Sequence, residues 1–279
     1  MEHDDTLEGL LARIDALGLP HGAWVATDAD GTLWAADVAD DAWHRLLANR
    51  GMRAGAAAAM AEVLSSAGWI PTGEVHTDAR MIYDLFRRGE LPDGPLVEAM
   101  TFCFAGWSEP EVRAFAAKLY HDLLAPRVYA TTRRLLEALC DRGFRVAVVS
   151  GSPRLLVEEA LRGIGIDPLP LVLGTEVRIR EGVLGTELVR PLTWREGKVR
   201  ALQAHLGRGS LAVAFGDTSG DWELLQAASA LRVLVHPRPG LRRRVDRDGG
   251  GAAPWSVFGP ACLASGETVD PPSEDGLFG

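Results

Sequence analysis

The stretch that most constrains the fold lies near the start of the chain, where a short apolar run ends in two acidic residues. The apolar residues 24–26 are followed by Asp28 and Asp30, and Gly31 comes directly after them. This order is typical of a buried parallel strand that carries acids to its C-terminal end, where open α/β sheets bind ligands. Two carboxylates this close repel each other, and a hard divalent cation such as Mg²⁺ commonly lies between them. The stretch therefore predicts a parallel sheet with a magnesium site at its edge.

Length and composition narrow the class of protein. The 279 residues are enough for one large domain or for a core with a smaller domain. A net charge of −9 argues against nucleic-acid binding. No uncharged apolar run reaches the ~18 residues of a membrane span, and residues 1–20 lack the basic and apolar regions of a signal peptide. Since Cys103, Cys140 and Cys262 are far apart, we expect a cytoplasmic protein without a disulfide framework or a zinc site.

The sequence changes character after the first strand. Residues 37–127 are rich in Ala, Leu and Trp, and their breaks divide them into four or five helices without a convincing strand. Ser108 and Glu111 have the spacing of a capping box, which starts a helix that runs to about Leu124. We therefore predict an all-helical cap domain over residues 35–127, inserted directly after the strand that carries Asp28.

Helices and strands alternate again after residue 128. The periodicity predicts an amphipathic helix over residues 4–18 and a β-hairpin over residues 177–187 that turns at Glu181-Gly182. Further helices are expected at residues 132–142, 154–162, 197–206 and 221–228, and further strands at residues 144–149, 171–173, 211–215 and 231–235. Such alternation builds right-handed βαβ units, so we predict an α/β fold with a doubly wound parallel sheet.

These patterns divide the chain into three parts. Residues 1–34 and 128–245 form the predicted catalytic core, and residues 35–127 form the helical cap domain between its two segments. Residues 246–279 are rich in Gly, Pro and acids, which predicts an irregular C-terminal tail.

Polar residues follow the later strands as well. Ser150 ends the strand of residues 144–149, and its hydroxyl, together with the N–H groups of Gly151 and Ser152 at a helix start, suits a phosphate oxygen. Lys198 begins a later helix, and its ammonium would offset crowded negative charge. Each residue alone is weak evidence, but the edge of one parallel sheet would bring them together.

Two further aspartates follow the strand of residues 211–215. Asp217 is placed to complete a metal site with Asp28. Asp221, four residues later, is placed either to bind the metal or to hold a water or a lysine beside it. The sequence leaves these two roles of Asp221 open.

This constellation resembles the haloacid dehalogenase-like superfamily. The resemblance covers residues 22–34 and 128–240, and it implies a Rossmann-like core whose helical insert is a C1 cap. The Ser-Gly-Ser-Pro of residues 150–153, the hairpin and the GKVRAL of residues 197–202 are most similar to the phosphoserine phosphatase-like branch. The motifs of the superfamily are matched in order by Asp28-Ala29-Asp30-Gly31-Thr32, Ser150-Gly151-Ser152, Lys198 and Gly216-Asp217-Thr218-Ser219-Gly220-Asp221.

The resemblance implies an aspartyl-phosphate mechanism that needs Mg²⁺. It makes Asp28 the nucleophile and Asp30 the general acid and base, with the backbone carbonyl of Asp30 bound to the metal. Ser150 and Lys198 hold the phosphoryl group, and these four residues form the implied catalytic set. The implied metal ligands are Asp28, Asp30, Asp217 and Asp221.

The chemistry of these groups agrees with those roles. A carboxylate can accept a phosphoryl group and divide one difficult displacement into two easier ones. Mg²⁺ would neutralise charge between the anions that must meet, and Lys198 and Ser150 would stabilise the equatorial phosphoryl oxygens. Asp30 would protonate the leaving alkoxide and then act as the base for the attacking water.

The sequence says less about the leaving group of the substrate than about how its phosphoryl group is held. Asp37 stands nine residues after Asp28, where phosphoserine phosphatases typically carry a glutamate that faces the substrate amine. An acid in a first helical turn also suits the helix dipole, so both roles of Asp37 stay open. The expected substrate-binding residues are Thr32, Asp37, Ser150, Gly151 and Lys198.

The arginines and tryptophans of the insert bear on the same question. The resembled branch uses a cap arginine for the serine carboxylate. Four tryptophans either cage a choline-like head group or pack the cap helices together, and packing is the favoured interpretation. The candidate arginines are Arg45, Arg50, Arg53, Arg80, Arg87, Arg88 and Arg113, and the tryptophans are Trp34, Trp43, Trp69 and Trp107.

We therefore expect a cytoplasmic phosphatase that needs Mg²⁺, acts on a small phosphorylated metabolite and forms a phospho-aspartate on Asp28. The substrate would be phosphoserine or another amine-bearing phosphomonoester. The alternatives are a phosphatase of phosphorylcholine-type or other metabolites, a phosphotransferase, and a non-catalytic protein that binds a phospho-ligand. We expect a monomer or a homodimer that contacts neither nucleic acid nor membrane.

Overall fold

One parallel sheet forms the centre of the fold. The computed structural model describes residues 2–4, 6–251 and 253–269, and over these residues the sheet has seven strands. The second strand of the chain lies inside the sheet, and Asp28 follows its last residue, which confirms the predicted parallel sheet and its first motif strand. Across the sheet the order is β1 (Glu2–Asp4), β9 (Trp255–Phe258), β8 (Leu231–Val235), β7 (Leu211–Gly216), β2 (Trp24–Thr27), β3 (Arg145–Pro153) and β4 (Leu171–Thr175).

Helices cover both faces of this sheet. Successive residues of a strand point to opposite faces, so Val25 of β2 lies in one buried cluster and Ala26 in a second. The sheet is therefore doubly wound, as predicted. The first cluster includes side chains of α1 (Leu7–Ala16), α7 (Thr132–Asp141) and α8 (Arg154–Ile164), and the second includes side chains of α9 (Glu196–Leu206), α10 (Trp222–Ala227) and α11 (Pro239–Asp248).

The segment between β2 and β3 is helical, as the sequence predicts. The capping box is confirmed, because the N–H and the hydroxyl of Ser108 both donate to Oε2 of Glu111 at 2.8 Å. The helix that it starts ends at Leu119 and continues as a π-helical turn over Tyr120–Leu124. We propose that residues 35–127 form a cap over the core. Its helices are α2 (Val38–Ala48), α3 (Ala57–Ser66), α4 (Val75–Arg87), α5 (Asp93–Phe102) and α6 (Glu109–Leu119).

The predicted hairpin is also confirmed, and it joins the core to the helical insert. β5 (Val177–Arg180) and β6 (Val183–Leu188) pair antiparallel. The N–H of Leu184 donates to the carbonyl of Trp107 at 2.8 Å, and the N–H of Gly106 donates to the carbonyl of Leu184 at 2.9 Å. The hairpin therefore holds the loop that precedes α6.

The prediction of an irregular tail from residue 246 is wrong for its first part. The helix α11 continues to Asp248, and β9 then pairs parallel with both β8 and β1. Val257 and Phe258 are buried, and the neighbouring strands satisfy the backbone, which is enough to order a short strand after a glycine-rich turn. Residues 270–279 lie outside the described part of the chain.

None of the helices in the described part of the chain is long and apolar enough to cross a membrane.

Candidate active site

The strand ends meet in one cavity at the C-terminal edge of the sheet. Asp28 follows β2, Ser150 lies near the end of β3, and Asp217 follows β7. Lys198 reaches the same place from the first turn of α9. The cavity has a volume of about 220 Å³, and all four residues line it together with Asp30, Gly151 and Asp37. The structure thus brings together most of the residues that the sequence singles out.

Lys198 is bound between two carboxylates in the buried part of the site. Its Nζ donates to Oδ1 of Asp28 at 2.5 Å and to Oδ1 of Asp221 at 2.6 Å, and only 2% of the lysine is exposed. Burial works against the ammonium, but the carboxylates of Asp221 and Asp28 hold the pKa of Lys198 above its ordinary value. The lysine therefore stays charged at neutral pH.

The acids of this edge carry more negative charge than their basic neighbours offset. Oxygen atoms of Asp28, Asp217 and Asp221 all lie within 4.8 Å of one another, and the three residues are buried. Burial, and next the Asp221 carboxylate, raise the pKa of Asp28 to about 8, and the same two causes raise the pKa of Asp217 well above its ordinary value. A set of buried carboxylate oxygens with unbalanced charge fits a hard divalent cation such as Mg²⁺.

Two of these acids have oxygens that are available to a cation. The hydroxyl of Thr32 lies 3.3 Å from Oδ2 of Asp28 and 3.4 Å from Oδ1 of Asp217, and Nε of Arg238 lies 3.3 Å from the other oxygen of Asp217. Hydrogen bonds of this length are weak. Asp28 and Asp217 therefore fit direct metal ligands, and the position of Thr32 favours a role in aligning them over contact with a substrate.

Asp221 is satisfied by protein donors. Its Oδ2 accepts hydrogen bonds from the N–H of Asp217 at 3.2 Å and from the N–H and the hydroxyl of Thr218 at 3.0 and 3.2 Å. Its Oδ1 accepts from Lys198. Of the two roles that the sequence leaves open for Asp221, this arrangement favours holding Lys198 and the turn beside the metal site.

The side chain of Asp30 is held by hydrogen bonds to both of its oxygens. Its Oδ1 accepts from Nε1 of Trp34 at 2.8 Å and from the N–H of Val38 at 2.9 Å. Its Oδ2 accepts from the hydroxyls of Ser150 at 3.1 Å and Ser152 at 2.7 Å. This geometry connects the carboxylate of Asp30 to the serines of β3 and to the start of the helical insert.

The expected cradle of N–H groups after Ser150 differs from the observed one. β3 continues to Pro153, so Ser152 lies in a strand, where a helix start was expected, and its N–H donates to the hydroxyl of Ser150 at 3.0 Å. The hydroxyl of Ser152 joins the site, and this role was missed. The spacing carried the signal, because residues two apart in a strand share a face, which aims Ser150 and Ser152 together at Asp30.

Gly31 allows the two sides of the site to approach each other. Its φ is +80°, and a β-carbon there would lie 2.0 Å from Oδ2 of Asp217. Any other residue would push that carboxylate away from Asp28, which explains the glycine directly after the two motif acids.

Asp37 caps a helix and also lines the cavity. Its Oδ1 accepts from the N–H of Asp40 at 2.8 Å, so it is the N-cap of α2. It also lines the cavity, where burial, and next the carboxylate of Asp30, raise its pKa well above the ordinary value. The helix-start interpretation is therefore confirmed, and a contact with substrate stays a prediction.

The candidate arginines and tryptophans of the sequence analysis are not among the described residues that line the cavity. Among the described residues that line it, none is one of the seven candidate arginines. Most of the seven form ion pairs elsewhere, such as Arg45 with Asp122 at 2.8 Å and Arg53 with Glu111 at 2.7 Å. Trp34 and Trp43 are fully buried in the packed core, so the packing interpretation holds for them.

Several cavity residues have no counterpart in the predicted set. α5 supplies Val97 and Met100, and the segments beside α9 and after β8 supply Trp194 and Arg238. Arg238 is attached to the site, since its N–H donates to the carbonyl of Asp217 at 2.9 Å. Its position in the loop that follows the core strand β8 was the available signal.

The doubly wound sheet with acids, serines and a lysine at one edge defines a class of α/β enzymes whose chemistry takes place at the strand ends. The chain belongs to the haloacid dehalogenase-like hydrolase family, whose model matches residues 25–226. The resemblance seen in the motifs is therefore confirmed.

Individual relatives agree with this assignment. The chain is 30% identical over 163 residues to phosphoserine phosphatase SerB2 of Mycobacterium tuberculosis, a match that covers 57% of this chain and 37% of that protein. The chain thus spans little more than a third of the length of this relative.

Solved structures share the fold. A Bordetella pertussis protein described as of unknown function superposes with a TM-score of 0.65 at 21% identity, covering 86% of this chain and 99% of that chain. A probable phosphoserine phosphatase from Vibrio cholerae superposes with a TM-score of 0.51 at 16% identity, covering 84% and 60%. At these identities the likeness shows the fold alone.

Proposed function

We propose that this protein is a Mg²⁺-dependent phosphatase that hydrolyses a small phosphomonoester through a phospho-aspartate on Asp28. The observation that carries the proposal is the convergence of Asp28, Asp217, Ser150 and Lys198 on one cavity at the sheet edge. A cavity of about 220 Å³ suits a small metabolite and is too small to enclose a bulky phosphorylated compound completely.

The proposed reaction has two displacements at phosphorus, and each residue has a role in them. Asp28 attacks phosphorus and the bond to the leaving oxygen breaks, while Asp30 gives that oxygen a proton. Asp30 then takes a proton from the water that attacks the phospho-aspartate, which releases phosphate and restores Asp28. Lys198 and the hydroxyl of Ser150 stabilise the oxygens of the transferring group.

The carboxylates of Asp28 and Asp217, with the backbone carbonyl of Asp30, would hold the metal. A bound Mg²⁺ supplies positive charge between the nucleophilic carboxylate and the phosphoryl oxygens. Asp221 keeps Lys198 directed at Asp28, which leaves the lysine charged and in place for both displacements.

The leaving group lies against the wall that the insert supplies. That wall carries the carboxylates of Asp37 and Asp40 beside small apolar residues. The basic residues of the described lining, Lys198 and Arg238, are each bonded to a core carboxylate. We infer a leaving group with an amine. The name of the curated relative supports phosphoserine, whereas the acidic wall without an insert arginine supports an amino alcohol without a carboxylate, such as a choline-type compound.

Phosphate release by the purified protein tests the proposal. The panel would contain p-nitrophenyl phosphate, phosphoserine, phosphoethanolamine, phosphorylcholine, a sugar phosphate and a nucleotide, each with Mg²⁺ and with a chelator. We expect release that depends on Mg²⁺ and is lost in Asp28→Asn while the fold is kept. If the protein releases phosphate from none of these compounds, the proposal is wrong.

Experiments on the same purified protein distinguish the phosphatase from two alternative functions. Mg²⁺-dependent labelling of Asp28 in a burst excludes a non-catalytic phospho-ligand-binding protein. A phosphotransferase would give phosphorylated products when alcohols are added as acceptors, whereas a phosphatase gives inorganic phosphate alone.

A further inference from the structure

Trp194 lies at the centre of contacts that the proposed mechanism does not use. It stands in the segment between β6 and α9, four residues before Lys198, and it lines the cavity. The segment is anchored next to it, because Thr193 is fully buried and donates its hydroxyl to the carbonyl of Gly174 at 3.1 Å. The indole therefore has a defined place beside the reacting groups.

The indole fills a slot between two loops of the site. A β-carbon at Gly151 would lie 3.0 Å from Cε3 of Trp194, and a β-carbon at Gly220 would lie 2.5 Å from its Cη2. Gly151 directly follows Ser150, and Gly220 directly precedes Asp221. Gly220 leaves the room that this ring occupies, and a β-carbon at Gly151 would be in tight contact with it. The ring therefore packs against the loops that carry Ser150 and Asp221.

The same ring lies near the ammonium of Lys198. Nζ is 5.9 Å from the ring centroid, at the outer limit of a cation–π contact. A turn ahead of α9 joins the two residues, since the N–H of Gly197 donates to the carbonyl of Trp194 at 2.8 Å. The indole is thus a further neighbour of this buried, flexible side chain beside its two carboxylate partners.

The neighbouring residue connects this wall to the helical insert. Nη2 of Arg195 donates to Oδ2 of Asp93 at 2.7 Å, and Asp93 is the first residue of α5. The same helix supplies Val97 and Met100 to the cavity. Arg195 adopts a φ of +51°, which a residue with a β-carbon rarely takes, so the segment is held in an uncommon conformation at this contact.

We propose that Trp194 is a positioning residue for Lys198, and that the Arg195–Asp93 ion pair sets its place relative to α5. This inference rests on the proposed phosphatase function. The role is indirect: the ring directs the ammonium at the phosphoryl oxygens and contributes little to binding of the ground state.

A series at position 194 tests the role of the ring. Trp194→Leu is expected to lower kcat for p-nitrophenyl phosphate by about 10-fold to 100-fold with a much smaller change in KM, because misplacement acts on the reacting geometry. Trp194→Phe is expected to recover most of kcat, since a flat ring still fits the slot. Trp69→Leu, at a tryptophan on the outer surface of the insert that is 37% exposed, is the matched control and should leave both constants unchanged.

Folding and binding are measured in the same variants. Thermal unfolding reports whether each variant is folded, and inhibition by inorganic phosphate reports ground-state binding without turnover. If kcat falls while inhibition by phosphate is unchanged, the result supports a role of Trp194 in positioning Lys198. A folded Trp194→Leu protein with unchanged kcat, or a Phe variant no better than Leu, overturns the inference.

A double-mutant cycle tests the connection to the insert. Arg195→Gln and Asp93→Asn should lower kcat by similar factors, and the double variant should lose no more than either one, because they remove the same contact. Arg88→Gln, which breaks the exposed pair with Glu90, is the control. Additive losses, or none, contradict the connection. A wild-type protein that hydrolyses nothing contradicts the proposed function itself, whereas an active wild type with unaffected variants contradicts only this inference.

Discussion

Oδ1 of Asp221 accepts a hydrogen bond from Nζ of Lys198 at 2.6 Å, and neither side chain has appreciable contact with solvent. The other oxygen of Asp221 is bonded to the turn that carries Asp217. One aspartate therefore connects the lysine that we propose to hold the phosphoryl group with the loop that we propose to bind the metal. The charge of Asp221 keeps the lysine protonated, and its position keeps Nζ against Asp28.

Asp221→Asn removes the charge and keeps the shape. We expect kcat to fall by about 10-fold to 100-fold, as is usual for residues that orient a catalytic or metal-binding group. Glu223→Gln, two residues later at a side chain that pairs with Arg244 at 3.5 Å, is the control. Steady-state kinetics with p-nitrophenyl phosphate checks the prediction, and a kcat like that of the wild type would show that Asp221 does not act through Lys198.

The hydroxyl of Ser152 is bonded to the proposed acid, Asp30, at 2.7 Å. A hydrogen bond to a charged group contributes about 1.5–3 kcal/mol, so we expect Ser152→Ala to lower kcat by about 10-fold. The loss should be larger for an alkyl phosphate than for p-nitrophenyl phosphate, because a poor leaving group depends more on the proton from Asp30.

The control for this prediction is Ser66→Ala, at an exposed serine on the outer surface of the insert. Rates are compared for the two leaving groups at equal Mg²⁺ concentration. Equal losses with both substrates would show that Ser152 shapes the loop and does not assist Asp30.

Much of this site follows from sequence because its residues are tied to periodic elements. Asp28 and Asp217 follow apolar strands, and parallel strands end at one edge, so their meeting can be predicted without coordinates. Lys198 lies at the start of a helix whose periodicity is clear. The doubly wound sheet and the helical insert follow from the same patterns of apolar residues.

The rest depends on contacts between distant segments that no local pattern encodes. Trp194 lies in an irregular segment, and its slot is made by glycines from two other loops. Arg195 meets Asp93 across 102 residues of sequence. β9 was missed because its four residues follow a glycine-rich stretch, where the periodic pattern is too short to recognise. Pairing with β8 and β1 orders its backbone.

The acids of the site should make the metal-free protein less stable at higher pH. Burial, and next the Asp221 carboxylate, raise the pKa of Asp28 from 3.8 to about 8. Between these values the folded state binds more protons than the unfolded state, so the free energy of unfolding falls as the pH rises through that window. The slope from this one group is at most about 1.4 kcal/mol per pH unit.

Thermal unfolding with a chelator, from pH 5 to pH 8, measures this effect. We expect Tm to fall with pH in the wild type, and to fall less in Asp28→Asn, which has no proton to lose there. Addition of Mg²⁺ at the upper end should raise the Tm of the wild type, because the cation offsets the charge of the deprotonated acids. Asp84→Asn, at an exposed aspartate of α4, is the control, and the same slope in wild type and Asp28→Asn would contradict the prediction.

The acidic wall of the insert should select the leaving group. Asp37 and Asp40 line the cavity, and the described lining contains no arginine of the insert, so a carboxylate on the leaving group would meet negative charge without a cation. We expect a higher kcat/KM for phosphoethanolamine than for phosphoserine. Asp37→Asn should raise KM for phosphoethanolamine by about 10-fold, the effect of one lost charge pair of roughly 1.4 kcal/mol, and should change KM for p-nitrophenyl phosphate little.

Asparagine is the informative replacement for Asp37, because it also caps a helix well and leaves the start of α2 intact. Asp37→Ala would lose both the charge and the cap, so a lower Tm in Ala than in Asn separates the two roles of this residue. Asp84→Asn again controls for a change of net charge on the insert. Phosphoserine as the better substrate, with KM unaffected by Asp37→Asn, would show that the wall does not recognise an amine and that a cation from elsewhere binds the carboxylate.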